Sequence, residues 1–213
     1  MEESHLLHIY LTRHGETEWN IENRLQGWKD SNLTSKGIRD AELLSKKLST
    51  IDFKNIYTSS SNRAIKTAMI LRGEKNFPII EENRLKEINF GEWEGRTKLE
   101  INERFEKEFS SLWDSPHLYN HIPHSGEGLE DLMNRVQNAL NDIINTNNNG
   151  NILIVTHAVV LATIVSYLKK SSIEKLWDIP FVHGTSLTHI EMDKDQKKLE
   201  FKLLCDTSHL ELV

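Results

Sequence analysis

The run Ile9-Tyr10-Leu11-Thr12-Arg13-His14-Gly15 decides the fold. The apolar stretch from His5 to Thr12 is too short for a core helix and suits a buried β-strand. It ends by delivering Arg13 and His14 at the strand's carboxyl end. The same design recurs in Ile152-Leu153-Ile154-Val155-Thr156-His157. A third strand, Ile56-Tyr57-Thr58, runs into Ser59-Ser60-Ser61-Asn62-Arg63, which puts Arg63 in the first turn of the next helix. In a parallel sheet all these groups emerge on one edge, and ligands bind beyond that edge. Gly15 allows close backbone approach, and helix-start amides there are expected to help hold an anion.

Outward from these strands the pattern alternates. Helices are predicted at Thr34 to Leu48, capped by Thr34 or Ser35, and at Asn62 to Arg72, Leu99 to Trp113, Glu127 to Asn145 and Ala158 to Lys169. Further strands are predicted at Lys54 to Thr58, Phe77 to Ile80, Ile152 to Val155, Ser186 to Met192 and Leu199 to Cys205. Asn145 to Asn151 reads as a loop, and Lys194 to Lys198 as a hairpin turn. The expectation is an α/β fold, a three-layer αβα sandwich on a mostly parallel sheet, with residues 1–213 as one domain.

The chain has 213 residues, 38% hydrophobic and 27% charged, which fits a globular protein with a real core. A net charge of -6 argues against nucleic acid as partner. Cys205 is the one cysteine, so no intrachain disulfide forms. The acidic start Met1-Glu2-Glu3-Ser4-His5 is unlike a signal peptide, and together these features predict a cytoplasmic protein. The apolar stretch Ile152 to Leu168, interrupted by Thr156-His157, reads as strand then helix rather than a membrane span. No membrane partner is expected, and the chain is expected as a monomer or homodimer.

A lone histidine at a strand end is usually structural, and a lone arginine usually a surface ion pair. That reading weakens when two histidines and two arginines share one edge, because burying them together without an anion is costly.

At this point a resemblance enters. Leu11-Thr12-Arg13-His14-Gly15-Glu16-Thr17 resembles the Arg-His-Gly signature of the histidine phosphatase, or phosphoglycerate-mutase-like, superfamily. Trp19-Asn20, Gln26-Gly27, Asp30, Leu33-Thr34, Gly37, Thr58-Ser59, Arg63-Ala64, Thr67-Ala68, Leu85-Lys86-Glu87, Phe90-Gly91, Trp93-Glu94-Gly95 and Val155-Thr156-His157 follow in the family's order. The resemblance implies a metal-independent phosphoryl-transfer enzyme acting on a small phosphorylated substrate, with no cofactor. It implies His14 as nucleophile and future phosphohistidine, with Arg13 and Arg63 clamping phosphoryl oxygens. His157 would donate to the same oxygens. Glu87 would be the general acid, then the base, and so needs a raised pKa. Gly15, Asn20, Gln26, Gly27 and Ala158 would fall on the substrate side, while Glu16 would merely cap a helix start.

Mutases of this family usually follow the acid glutamate with His-Tyr-Gly and carry a downstream arginine pair. Here the text is Ile88-Asn89-Phe90-Gly91, and Phe105 to Pro116 holds no arginine. Lys98 is the one mutase-like match. These departures favour the branch similar to broad-specificity and α-ribazole phosphatases, with a phosphoglycerate-type mutase or a non-catalytic phosphate-binding module as alternatives. An insertion around 98–126 is expected to cover the pocket. Its irregular part, Leu112 to His124, carries Trp113, His117, Tyr119, His121 and His124, and its aromatics would favour an apolar leaving group. Its histidines are not expected to hold a metal, since Pro123 breaks their register and no Asp or Cys completes a cluster.

Overall fold

The computed structural model describes residues 6–210. His5, the first residue of the predicted opening strand, and the acidic start before it lie outside the described residues.

Six strands form one sheet: β1 (Leu6–Arg13), β2 (Phe53–Thr58), β3 (Ile79–Glu81), β4 (Gly150–Thr156), β5 (Leu187–Asp193) and β6 (Lys198–Asp206). Their spatial order is β3-β2-β4-β1-β5-β6. The first four in that order run parallel, and β5 and β6 close the edge as an antiparallel hairpin. The helices are α1 (Glu18–Ile21), α2 (Ser35–Lys47), α3 (Asn62–Arg72), α4 (Lys98–Asp114), α5 (Leu129–Thr146) and α6 (Ala158–Leu168). Helix α1 was not anticipated: Thr17 and Asn20 close a reciprocal capping box around only four residues, too few to show a periodicity. Thr34, rather than Ser35, caps α2 by accepting from the Gly37 amide. The predicted Glu127 start of α5 is two residues early, because Gly128 is still extended.

Side-chain alternation in the central strands builds the expected three layers. Leu7, Ile9, Leu11, Ile152 and Ile154 pack with α5 and α6 in one core. Tyr10, Ile56, Leu153 and Val155 pack with Leu44, Ala64, Ala68 and Leu71 of α2 and α3 in the other. Helix α6 is buried nearly all round, which explains its continuous apolar text. Among the described residues no helix is long and apolar enough to cross a membrane.

This topology positions the site. β1 and β4 are neighbours with Arg13 opposite Thr156, so His14 and His157 are the first residues past the ends of adjacent strands. The His14 amide continues the ladder to the Thr156 carbonyl at 2.9 Å. β2 pairs with β4 up to Thr58–Val155, which brings the turn into α3, and so Arg63, to the same edge.

Candidate active site

A cavity of about 590 Å³ opens at the carboxyl edge of the parallel strands, lined by Arg13, His14, Arg63 and Glu87 at its floor. His14, Arg63 and Glu87 are almost fully buried. The His14 and His157 rings stand 5.2 Å apart.

Arg63 ties the two rings together. Its Nε donates to His14 Nε2 at 3.2 Å, and its Nη2 lies 3.1 Å from His157 Nδ1. A guanidinium only donates, so both nitrogens accept. The His14 proton then sits on Nδ1 and is donated to the Gly15 carbonyl at 2.8 Å. The His157 proton sits on Nε2 and is donated to Ser59 Oγ at 2.7 Å. Both rings are neutral, in opposite tautomers. Burial first, then the charge of Arg63, holds both well below the usual histidine range. Arg63 itself is fixed by the carbonyls of Gly27 and Lys29 and by Asp30, at 2.8–2.9 Å.

Arg13 donates through Nη1 to the Val182 carbonyl at 2.9 Å, while its Nε is buried without a hydrogen-bond partner among the described residues. Buried donors are normally matched, and an anion in the cavity would match this one.

Glu87 accepts from the Ile88 amide at 3.0 Å and the Val159 amide at 3.3 Å. These bonds and the two arginines favour the carboxylate, yet burial outweighs them and raises its pKa. The carboxyl group is therefore held as an acid at a pH where an exposed glutamate is ionised.

The remaining expected residues divide. Gln26, Gly27, Asn20 and Ala158 line the cavity. Gln26 Nε2 donates to Thr17 Oγ1 at 2.7 Å, and Asn20 Oδ1 accepts from the Thr17 amide and hydroxyl, so both belong to one polar wall. Gly27, at φ 55°, is pressed against Glu94, whose Oε1 would lie 2.2 Å from an added Cβ. The expected anion-holding amide at Gly15 is corrected: that amide donates to Thr67 Oγ1 at 3.0 Å, and the next helix starts only at Glu18. Gly15 is required for another reason. A Cβ there would stand 2.6 Å from the Gly37 carbonyl oxygen, and one on Gly37 would stand 2.1 Å from that of Glu16. Glu16 lines the cavity and accepts from Thr34 Oγ1 at 2.9 Å, at the cap of α2.

From the 98–126 segment, Lys98, Phe109 and Trp113 reach the cavity. Tyr119 and His124 do not, which corrects the expectation that they shape it. His124 is fully buried, stacks on Trp93 at 3.7 Å, and bonds the Phe90 carbonyl and Tyr119 Oη. Trp113→Ala is expected to shift the preference between aryl and small alkyl phosphates by about tenfold. Tyr119→Ala is expected to leave that ratio unchanged and to lower stability by about 2 kcal/mol. Paired kcat/KM ratios and urea melts check both.

Several supports were not foreseen. Arg135 on α5 donates to the carbonyls of Arg84, Lys86 and Glu87 at 2.7–2.9 Å while paired with Glu127, and so fixes the strip that carries Glu87. Trp28 Nε1 donates to the Glu87 carbonyl at 3.0 Å. Glu94 accepts from the amides of Trp28, Lys29 and Phe90, joining the two loops that flank Arg63 and Glu87. Phe181, His183 and Gly184 also line the cavity, Phe181 with 71% of its surface exposed.

Comparison with known proteins agrees with this geometry. The solved structure of Bacillus stearothermophilus YhfR is similar at TM-score 0.91 and 43% identity, covering 96% of this chain and 99% of that one. Phosphoserine phosphatase 1 of Hydrogenobacter thermophilus is 30% identical over 187 residues, 87% of this chain and 88% of its own length. The 2,3-bisphosphoglycerate-dependent phosphoglycerate mutase of Cytophaga hutchinsonii is 32% identical over 180 residues, 83% of this chain and 84% of its own. The family model of the histidine phosphatase superfamily, branch 1, matches residues 9–203, and the chain belongs to that superfamily.

Proposed function

We propose that this chain is a metal-independent phosphomonoester phosphatase working through a phosphohistidine on His14. The observation that carries the reading is the His14 ring: its Nδ1–H is tied to a backbone carbonyl, so the Nε2 lone pair is free to attack once an anion draws Arg63 away from it. Arg13 and Arg63 supply positive charge for the three phosphoryl oxygens. As the N–P bond forms, the ester P–O bond breaks and Glu87 protonates the leaving oxygen. Water then attacks phosphorus, gives its proton to the Glu87 carboxylate, and releases phosphate and neutral His14. Donation from His157 to a phosphoryl oxygen would need the opposite tautomer, with the proton on Nδ1 and the Ser59 hydroxyl donating to Nε2.

Several features support hydrolysis over mutase activity. The 98–126 segment offers the cavity Lys98, Phe109 and Trp113 but no arginine, and Leu25, Phe90, Val159 and Phe181 add apolar wall. These residues suit an apolar leaving group. The single cysteine fits a cytoplasmic location. The mutase reading keeps one observation: Arg24 and Lys98 line the same cavity, where a second anionic group of a substrate would sit. A panel of p-nitrophenyl phosphate, phosphoserine and 3-phosphoglycerate, with EDTA present, tests the proposal. Phosphate release supports it. Isomerisation of 3-phosphoglycerate dependent on 2,3-bisphosphoglycerate, without net hydrolysis, would sink it.

The pH profile has a defined sign. Attack needs neutral His14 and protonated Glu87. His14 is shifted down, so the nucleophile persists into acid; Glu87 is shifted up, so the acid persists above the usual carboxyl range. The expected kcat/KM is a bell with an acidic-to-neutral maximum, falling in acid through His14 and in base through Glu87. Glu87→Gln should lower turnover of an alkyl phosphate by about 10²–10⁴-fold, and that of p-nitrophenyl phosphate less, because nitrophenolate leaves without a proton. An optimum well above neutral would contradict the assignment.

A further inference from the structure

We infer that His8, His189 and Glu191 form a binding site for a divalent transition-metal ion, best suited to Zn²⁺, on the β1–β5 pair far from the catalytic cavity. His8 faces Glu191 across that pair, and His189 faces Tyr10 two positions along. The three side chains therefore project from one face of the sheet. His8 Nδ1 lies 3.2 Å from His189 Nε2 and 3.7 Å from Glu191 Oε1. One ligand atom from each residue lies within 4.8 Å of the other two.

The two His8 separations are close to what an ion requires, and the His189–Glu191 edge lies within 4.8 Å. Tetrahedral bonds of about 2.0–2.1 Å hold ligand atoms about 3.3 Å apart. The two nitrogens already stand at that spacing, and the His8–Glu191 edge needs to close by a few tenths of an ångström. Two imidazoles and one carboxylate select zinc-like ions over calcium or magnesium, which take all-oxygen sets.

Neighbours hold the ligands in place. The His189 ring stacks on Tyr10 at 4.2 Å with the planes 4° apart, which fixes its orientation. Lys202 holds Glu191 Oε2 at 2.9 Å and leaves Oε1 to bind. Such outer contacts orient ligating groups before the ion arrives. The side chains of His8 and Glu191 are 24% and 26% exposed, so an ion can reach them and a water can complete the shell. His8 sits six residues before His14 on an extended strand, about 20 Å away. An ion there would pin β5 to β1 and take no part in phosphoryl transfer. Without a metal function, the same atoms make a hydrogen-bonded histidine pair beside a Glu191–Lys202 ion pair.

The test is calorimetric titration of the metal-stripped full chain with ZnCl₂, and of His189→Gln and Glu191→Gln, with Co²⁺ as spectroscopic probe. One equivalent of Zn²⁺ should bind wild type, and His189→Gln should weaken binding about 100-fold or more. Zn²⁺ at about a hundred times Kd should raise Tm by about 5 °C or more. Co²⁺ should show the visible bands of a four-coordinate ion in wild type and lose them in both variants. Circular dichroism confirms that the variants fold, and His8→Gln repeats the test from the opposite strand. No stoichiometric binding, or equal binding in wild type and variants, would overturn the site; the second result would place the ion on other histidines.

Discussion

Replacing His14 by Ala is expected to lower hydrolysis of p-nitrophenyl phosphate by about 10⁴-fold or more at every pH, with EDTA present. The structure offers no substitute. His157 Nδ1 accepts from Arg63, and that ring is fully buried and is not among the residues that line the cavity. The fold should survive, because among the described residues the His14 ring bonds just the Gly15 carbonyl and one Arg63 donor. Wild type quenched during turnover should carry an acid-labile, base-stable phosphate that His14→Ala lacks. Equal activity in the two proteins would mean that another group attacks phosphorus.

Arg63→Ala is expected to lower kcat/KM by about 10³-fold and stability by about 3 kcal/mol. Both effects come from one side chain, 1% exposed, that donates to two rings, two carbonyls and Asp30. Its loss leaves the His157 ring and the Gly27 carbonyl without this buried donor and removes the clamp on the phosphoryl oxygens. Arg63→Lys separates the two roles. A lysine keeps the charge but not the planar fork, so it should recover part of the stability and little of the rate. Steady-state kinetics beside urea melts measure both, and a lysine variant at the wild-type rate would show that charge alone suffices.

What the sequence disclosed was local. Apolar runs ending in Arg-His and Thr-His locate two strands and their products, because strand text and strand end are contiguous. Parallel pairing then turns two motifs 143 positions apart (His14, His157) into one pair. Glu87 was legible only through the family, since nothing in its neighbours announces burial. The bracing role of Arg135 was not legible: besides Glu127 nearby, its partners are backbone carbonyls about fifty residues away, which carry no side-chain signature. Tyr119 and Trp113 look alike in an irregular segment, and only packing decides that one faces Trp93 and the other the cavity. The anion-binding role expected of Gly15 failed because a hydroxyl from α3 reached its amide first.

The mutual contact of Gly15 and Gly37 carries a lesson for variant scanning. Gly15 lies where the first turn of α2 leaves no room for even a methyl group, Gly37 lies where the backbone of Glu16 leaves none, and the obstacle is carbonyl backbone, which no rotamer change can relieve. A saturation library read by phosphatase activity should therefore show these two positions as intolerant as His14. Only an assay of folded yield would tell them apart, since His14→Ala should accumulate as folded protein and Gly37→Ala should not.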